Sequence, residues 1–178
     1  MSLPSAPDAA VTAGAGGSLV SMELSLGRRA DYAIRATLDL ARHHGEGRRK
    51  AREIGEAMAV PASYLPQILA LLVRAGIVSS VSGPSGGYSL GRPSAQVSLL
   101  DVIRATEGDP GATECVLRGG PCHWDDVCAV HVPWARAQQA LLDELAATSF
   151  EVLAGIDAQL EDGTFELPAE LRGAVTSR

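Results

Sequence analysis

The chain has 178 residues, 46% of them hydrophobic and only 4% aromatic, which suits an aliphatic, alanine-rich helical domain and excludes global disorder. Its net charge of −6 is unevenly laid out: residues 22–108 hold 11 Lys and Arg against 8 Asp and Glu, whereas residues 109–178 hold 4 against 12. The first part can meet phosphates while the second faces away or meets another subunit, and no apolar run approaches the ~20 residues of a membrane span.

Residues 1–21 are small and weakly polar without periodicity, and read as a disordered leader. No Lys or Arg precedes Arg28 and no strong apolar segment stands there, which argues against a secretory signal. The cytoplasm is the expected compartment, and it keeps thiols reduced and available to metals.

A first helix is expected from about Gly27 to His43, with Ala30, Ile34, Leu38 and Ala41 as its apolar stripe. Arg48-Arg49-Lys50 follows in a turn, either as a solvated surface or as a phosphate contact. A short helix over 51–59 carries Ile54, Ala57 and Met58 at helical spacing, and Val60-Pro61-Ala62 makes the next turn. Ser63 is expected to cap a second helix that buries Leu65, Ile68, Leu69 and Leu72 and closes at Gly76. Pro66 falls within its first turn, where proline is tolerated.

Ile77–Val81 and Tyr88–Leu90 read as two strands, joined through Ser82-Gly83-Pro84-Ser85-Gly86-Gly87 into a hairpin. Ser98 with Asp101 resembles a capping box, opening a helix through Ile103 that ends at Gly108. Pro133 suits a first helical position, with Ala137, Leu141, Leu142 and Leu145 on an apolar face. Thr148 with Glu151 makes a second capping box, so the helix breaks there and restarts through Leu160.

Two short helices across a tight turn, followed by a two-stranded wing, describe a winged helix-turn-helix whose second helix enters the major groove. Ser63, Tyr64 and Gln67 then lie where side chains reach base edges and phosphates, with Arg28 a further contact. Gln67 is the best base reader, since its amide can bond adenine bidentately. Gly86 and Gly87 would let the wing's backbone approach DNA closely. The bland alternative is a helical domain whose hairpin caps a core and whose Tyr64 belongs to that core.

Cys115, Cys122 and Cys128 are the only cysteines, and His131 stands three residues past the last. Soft ligands gathered in one Gly/Pro-bearing loop point to a metal rather than a disulfide framework. Thiolates with an imidazole suit an iron–sulfur cluster; a structural zinc of the three-cysteine, one-histidine type fits the same ligands, and idle thiols are the remaining alternative. His123 beside Trp124 reads as surface or packing, and His43 and His44 suit a helix C-terminus.

Several segments in combination resemble the family of winged-helix iron–sulfur transcriptional regulators (IscR/NsrR-like). They are Asp31-Tyr32-Ala33-Ile34-Arg35, Ser63-Tyr64-Leu65 with Gln67, Ser79-Ser80-Val81 with Gly83-Pro84 and Gly86-Gly87-Tyr88, Leu100-Asp101-Val102-Ile103 with Glu107-Gly108, and the cysteine triplet. The likeness covers about residues 22–160. It implies a homodimer with crossing C-terminal helices, each cluster loop lying close to the partner's first helix. In the biogenesis-regulator branch it implies a 2Fe-2S cluster on Cys115, Cys122, Cys128 and His131; in the nitric-oxide-sensing branch the fourth ligand resembles Asp31, from the other subunit, on a 4Fe-4S cluster. The His131 spacing favours the first. Three positions depart from the family pattern: a six-residue first cysteine gap where five or fewer is usual, Ser82 where an arginine often contacts DNA, and Pro66 where the biogenesis branch has a glutamate.

The expected architecture is mostly α, with a winged helix-turn-helix domain over 22–108, a cluster loop over 109–131, dimerisation helices over 132–162 and a flexible tail over 163–178. The expected function is cluster-dependent regulation at a promoter operator, sensing redox state, nitric oxide or cluster status. The rival is a zinc-stabilised helical adaptor that binds protein rather than DNA. No nucleophile is paired with a base and an orienting third group, so an enzyme is not expected.

Overall fold

A computed structural model describes residues 26–109 and 128–169. The expected leader, Cys115, Cys122, His123, Trp124 and the end of the tail lie outside the described residues. Helix α1 spans Arg28–Arg42, α2 Ala51–Ala57 and α3 Leu65–Arg74; strands β1 (Val78–Val81) and β2 (Gly87–Leu90) follow. A single 3-10 turn at Ser94–Gln96 leads to α4 (Leu99–Glu107), then α5 (His131–Ala147) and α6 (Phe150–Glu161).

The buried face of α1 matches the expected stripe only at Ala30 and Ala41. Ala30, Ala33, Ala36, Thr37, Leu40 and Ala41 are buried, together with Asp39, while Ile34 and Leu38 are only half-buried. Small side chains let α4 and α6 approach α1 closely, so the larger residues move to the rim of the contact. Gly27 provides no side-chain cap, and the carboxylate of Glu107 on α4 substitutes for one, accepting from the Ala30 backbone N–H at 3.3 Å. A carboxylate there satisfies an orphan donor and the positive end of the helix dipole together.

Helix α2 closes in a Schellman-type turn in which Val60 N–H donates to the Gly55 carbonyl at 3.0 Å, with Ala59 in the left-handed region at φ 51. Ile54 is buried as expected, whereas Ala57 faces solvent. Ser63 does not cap α3. Both Tyr64 N–H (2.9 Å) and Leu65 N–H (3.2 Å) donate to the Pro61 carbonyl, so a turn over 61–64 occupies that stretch and Tyr64 takes the cap position. Pro66 is accommodated at the start of the helix. Leu65, Ile68, Leu69 and Leu72 form the core face the spacing predicts, each burial stabilising by roughly 2 kcal/mol.

The strands pair antiparallel, Val78 opposite Leu90 and Val81 opposite Gly87. An additional rung, absent from the sequence reading, joins Arg49 to Tyr88 through reciprocal backbone hydrogen bonds of 2.8 Å. The Ser98–Asp101 capping box forms as expected, with bonds of 3.0 and 3.1 Å, and Gly108 ends α4. Helix α5 begins at His131, two residues before Pro133. Its break from α6 falls where expected, but the cap is Ser149, whose Oγ accepts from Val152 N–H at 3.3 Å; the Thr148 hydroxyl instead donates back to the Glu144 carbonyl. Phe150 fixes this junction: it is fully buried, and its N–H donates to the Val97 carbonyl at 2.8 Å.

The core joins α1, α3, the wing base, α4 and Phe150. Helix α5 contributes no buried residue, and Val132, Leu141, Val152 and Leu160 stand exposed on α5 and α6.

Candidate functional site

The start of α3 and the tip of the wing are both exposed. Gln67 points outward from the turn after Leu65, because Leu65, Ile68 and Leu69 take the inward positions on either side of it. Ser63 is exposed in the preceding turn. Tyr64 is 44% exposed, and its ring lies against that of Tyr32 on α1, centroids 5.6 Å apart and tilted by 54°. It is therefore neither a core tyrosine nor a free one: α1 braces it beside the mouth of the helix. Arg28 is exposed at the first position of α1.

Gly86 and Gly87 are buried within the wing. A Cβ on Gly86 would lie 2.1 Å from the Val81 carbonyl oxygen, and one on Gly87 would lie 2.6 Å from that of Arg49. Gly87 also has φ 149, which disfavours a side chain. The close approach these glycines permit is to the wing's own backbone, and Ser82 to Ser85 form its exposed tip.

The basic run before α2 divides into unlike members. Arg49 holds the buried Asp39 of α1 with two hydrogen bonds, at 3.0 and 3.1 Å, and also stands 3.8 Å from Glu53. The hydrogen bonds that Arg49 donates to Asp39 raise its pKa above the ordinary value. Lys50 extends its ammonium into the wing tip, donating to the Pro84 carbonyl at 2.6 Å and to the Gly86 carbonyl. Arg48 is exposed. Periodicity could not single these roles out, since each depends on a partner that is distant in sequence.

Of the expected metal ligands, the described residues include Cys128, His131 and Asp31. Cys128 is half-buried just before α5, and His131 is the exposed first residue of that helix, its backbone N–H donating to the Cys128 carbonyl at 3.0 Å. A thiol and an imidazole three residues apart at a helix entrance can converge on one centre. Asp31 lies in the first turn of α1, partly exposed and paired with Arg35 at 2.8 Å. No three His, Cys, Asp or Glu side chains are gathered as a metal site among the described residues.

Comparison with known proteins places this arrangement. The model of the Rrf2 family, described as iron-dependent transcriptional regulators, matches residues 26–155. The HTH-type transcriptional regulator IscR of Xenorhabdus nematophila is 37% identical over 122 residues, covering 68% of this chain and 74% of that protein. Among solved structures, CymR, the global cysteine regulator of B. subtilis, superposes with a TM-score of 0.66 at 29% identity, covering 75% of this chain and 98% of that one. The IscR of T. potens gives 0.62 at 25% identity, over 84% of this chain and 97% of its own.

Proposed function

Because this chain belongs to the Rrf2 family of transcriptional regulators, we propose that it is an iron–sulfur-dependent, sequence-specific repressor or activator that binds promoter DNA as a cytoplasmic homodimer. The observation that carries the reading is the exposed start of α3, where Tyr64 and Gln67 project, in a chain whose next element is a wing with its glycines consumed in its own fold. A recognition helix presents its first turns to base edges in this way, and the wing then follows the adjacent backbone. In this arrangement Gln67 reads a base, Ser63, Tyr64 and Arg28 meet phosphates or sugars, and the exposed wing tip over 82–85, whose turn Gly86 and Gly87 close, runs along the duplex. The relatives are transcriptional regulators, not enzymes, and no helix among the described residues is long and apolar enough to cross a membrane.

The donor chemistry of Cys128 and His131 fits a cluster ligand set completed by Cys115 and Cys122, with Asp31 of a second subunit the alternative to His131. When bound, such a cluster supplies a centre whose charge and integrity change with oxidation or nitric oxide. The protein's part is mechanical. Cys128 and His131 stand at the entrance to α5, α5 packs on α4, and α4 packs on both α1 and α3. Ordering or releasing that entrance therefore bears on the two reading helices of a dimer, and switching occupancy fully takes about 5 kcal/mol of differential stabilisation.

The test is an anaerobic absorption spectrum with iron and sulfide counts, alongside duplex-DNA binding over a range of salt. A coloured, iron- and sulfide-bearing protein whose affinity falls steeply with salt is expected, through release of condensed counterions. Colourless, zinc-bearing protein without duplex affinity would overturn the reading.

A further inference from the structure

Lys50 and Arg49 hold the wing at its two ends. Arg49 fixes the base: its guanidinium is anchored on the fully buried Asp39, and its backbone forms the extra rung with Tyr88. Lys50 fixes the tip, because its ammonium spans the carbonyls of Pro84 and Gly86 across the hairpin turn. The tip has little else to hold it, the described bonds being Gly86 N–H to the Gly83 carbonyl at 3.0 Å and the strand pairing behind it. Two adjacent cations thus direct donors to the protein, whereas Arg48 beside them, exposed like Lys50, has no ion pair among the described residues.

We propose that Lys50 and Arg49 are positioning residues of the wing rather than phosphate ligands, and that Arg48 is the member of the run that meets DNA. The functional half of this inference rests on the DNA-binding reading. A wing set before contact loses little freedom on docking, and a wing that opens part of the time lowers apparent affinity by the fraction of time it is competent. An ammonium bonded to two carbonyls suits that task. It stabilises the tip without a hydrophobic contact that would have to be broken at the polar duplex surface.

The experiment compares Lys50→Met, Lys50→Arg and Arg48→Met with the wild-type chain. Hydrogen exchange across residues 82–88 of the free protein is read first, followed by affinity for a pool of random-sequence 30-base-pair duplexes as a function of salt. Lys50→Met is expected to speed wing exchange about tenfold, as loss of a charged hydrogen bond implies. It should weaken duplex binding several-fold while leaving the slope of log affinity against log salt unchanged, and Lys50→Arg should restore part of both. Arg48→Met should lower that slope by about 0.9, one phosphate contact, with wing exchange unchanged. Unaltered wing exchange in Lys50→Met overturns the proposal, as does a slope reduced by one contact in that variant. The exchange arm needs no DNA, so wild-type protein that binds no duplex would sink the DNA-binding reading and still leave the clasp tested.

Discussion

The carboxylate of Asp39, fully buried in α1, is held at both oxygens by Arg49, Nη2 to Oδ1 at 3.0 Å and Nε to Oδ2 at 3.1 Å. The pair joins the first helix to the rung that begins the wing. Its two members are not equivalent, because the Asp39 side chain is 1% exposed and that of Arg49 is 24%. Removing the arginine strands a buried charge, whereas removing the aspartate frees a cation that can still reach water and Glu53. Arg49→Met should therefore cost about 3 kcal/mol of stability and Asp39→Asn about half as much, measured by urea denaturation. Equal losses below ~1 kcal/mol would show that the pair behaves as a surface ion pair.

This pair also shows what the sequence could and could not disclose. The core face of α3, the hairpin and the Ser98–Asp101 box were legible, because each is written in residues three or four apart, or in one turn. Asp39 was invisible as a buried group: its partner lies ten residues on, across a turn, and a carboxylate in a helix ordinarily signals a solvent face. The inward face of α1 was misread toward Ile34 and Leu38 because hydrophobicity favours large residues, while close helix packing selected alanines. The cap assignments at Ser63 and Thr148 failed because hydroxyl residues stand near both helix ends and local geometry picks between them: the turn drawn by the Pro61 carbonyl displaced the first, and Ser149 superseded the second. Tyr64 and Gln67 are exposed at the start of α3, as the periodicity of its buried leucines implies, but the internal duties of Arg49 and Lys50 did not appear in any local pattern.

Ala59 carries the left-handed conformation that closes α2, at φ 51, where glycine is the usual residue. The strain of a Cβ there is roughly 1 kcal/mol, partly offset by the greater freedom glycine has in the unfolded chain. Ala59→Gly should raise stability by about 0.5 kcal/mol, with the helix-turn-helix angle and duplex affinity unchanged. A loss of stability in thermal unfolding would mean that the turn gains more from a methyl contact than it spends on strain.

The C-terminal end of α1 is tied to α6 by Arg42, which donates to Asp157 at 2.9 Å and to Glu161 at 2.7 Å. The hydrogen bond from Arg42 lowers the Glu161 pKa below the ordinary glutamate range. A carboxyl group depressed in the folded state contributes stability that is present above its unfolded pKa and is lost as pH falls through the folded one. The stability difference between wild type and Glu161→Gln should accordingly be present at neutral pH and vanish on acidification below the usual glutamate range. It should also shrink in high salt, since Glu161 is exposed. A difference that grows on acidification would contradict this linkage.

Helix α5 runs 17 residues without burying one, and Leu141 on it is 41% exposed while Val152 and Leu160 on α6 are 52% and 58%. A helix that buries so little gains its stability elsewhere, and a second copy of the chain, laid helix against helix, would cover these residues. Sedimentation should report a dimer at micromolar concentration, and Leu141→Lys should shift it to monomer with weaker duplex binding. A monomeric wild type that binds DNA unchanged would remove the two-fold assembly from the proposed mechanism.

His131 and Asp31 are the two candidates for the fourth ligand of the proposed cluster, and their settings differ. His131 adjoins Cys128 at the entrance to α5, whereas Asp31 has one carboxylate oxygen, Oδ1, already paired with Arg35. That pair is half-exposed, with side chains 45% and 41% accessible, so separating it costs under ~1 kcal/mol and does not itself exclude Asp31. Proximity favours His131 in the proposed ligand set, since it is held within one turn of Cys128, whereas the proposal brings Asp31 from a second subunit. Cys128→Ala should abolish the visible spectrum, His131→Ala should destabilise the cluster, and Asp31→Ala should leave both spectrum and a count of two irons per protomer intact. Loss of colour in Asp31→Ala with four irons per protomer in the wild type would move the assignment across the subunit boundary, making the dimer a condition for assembling the centre.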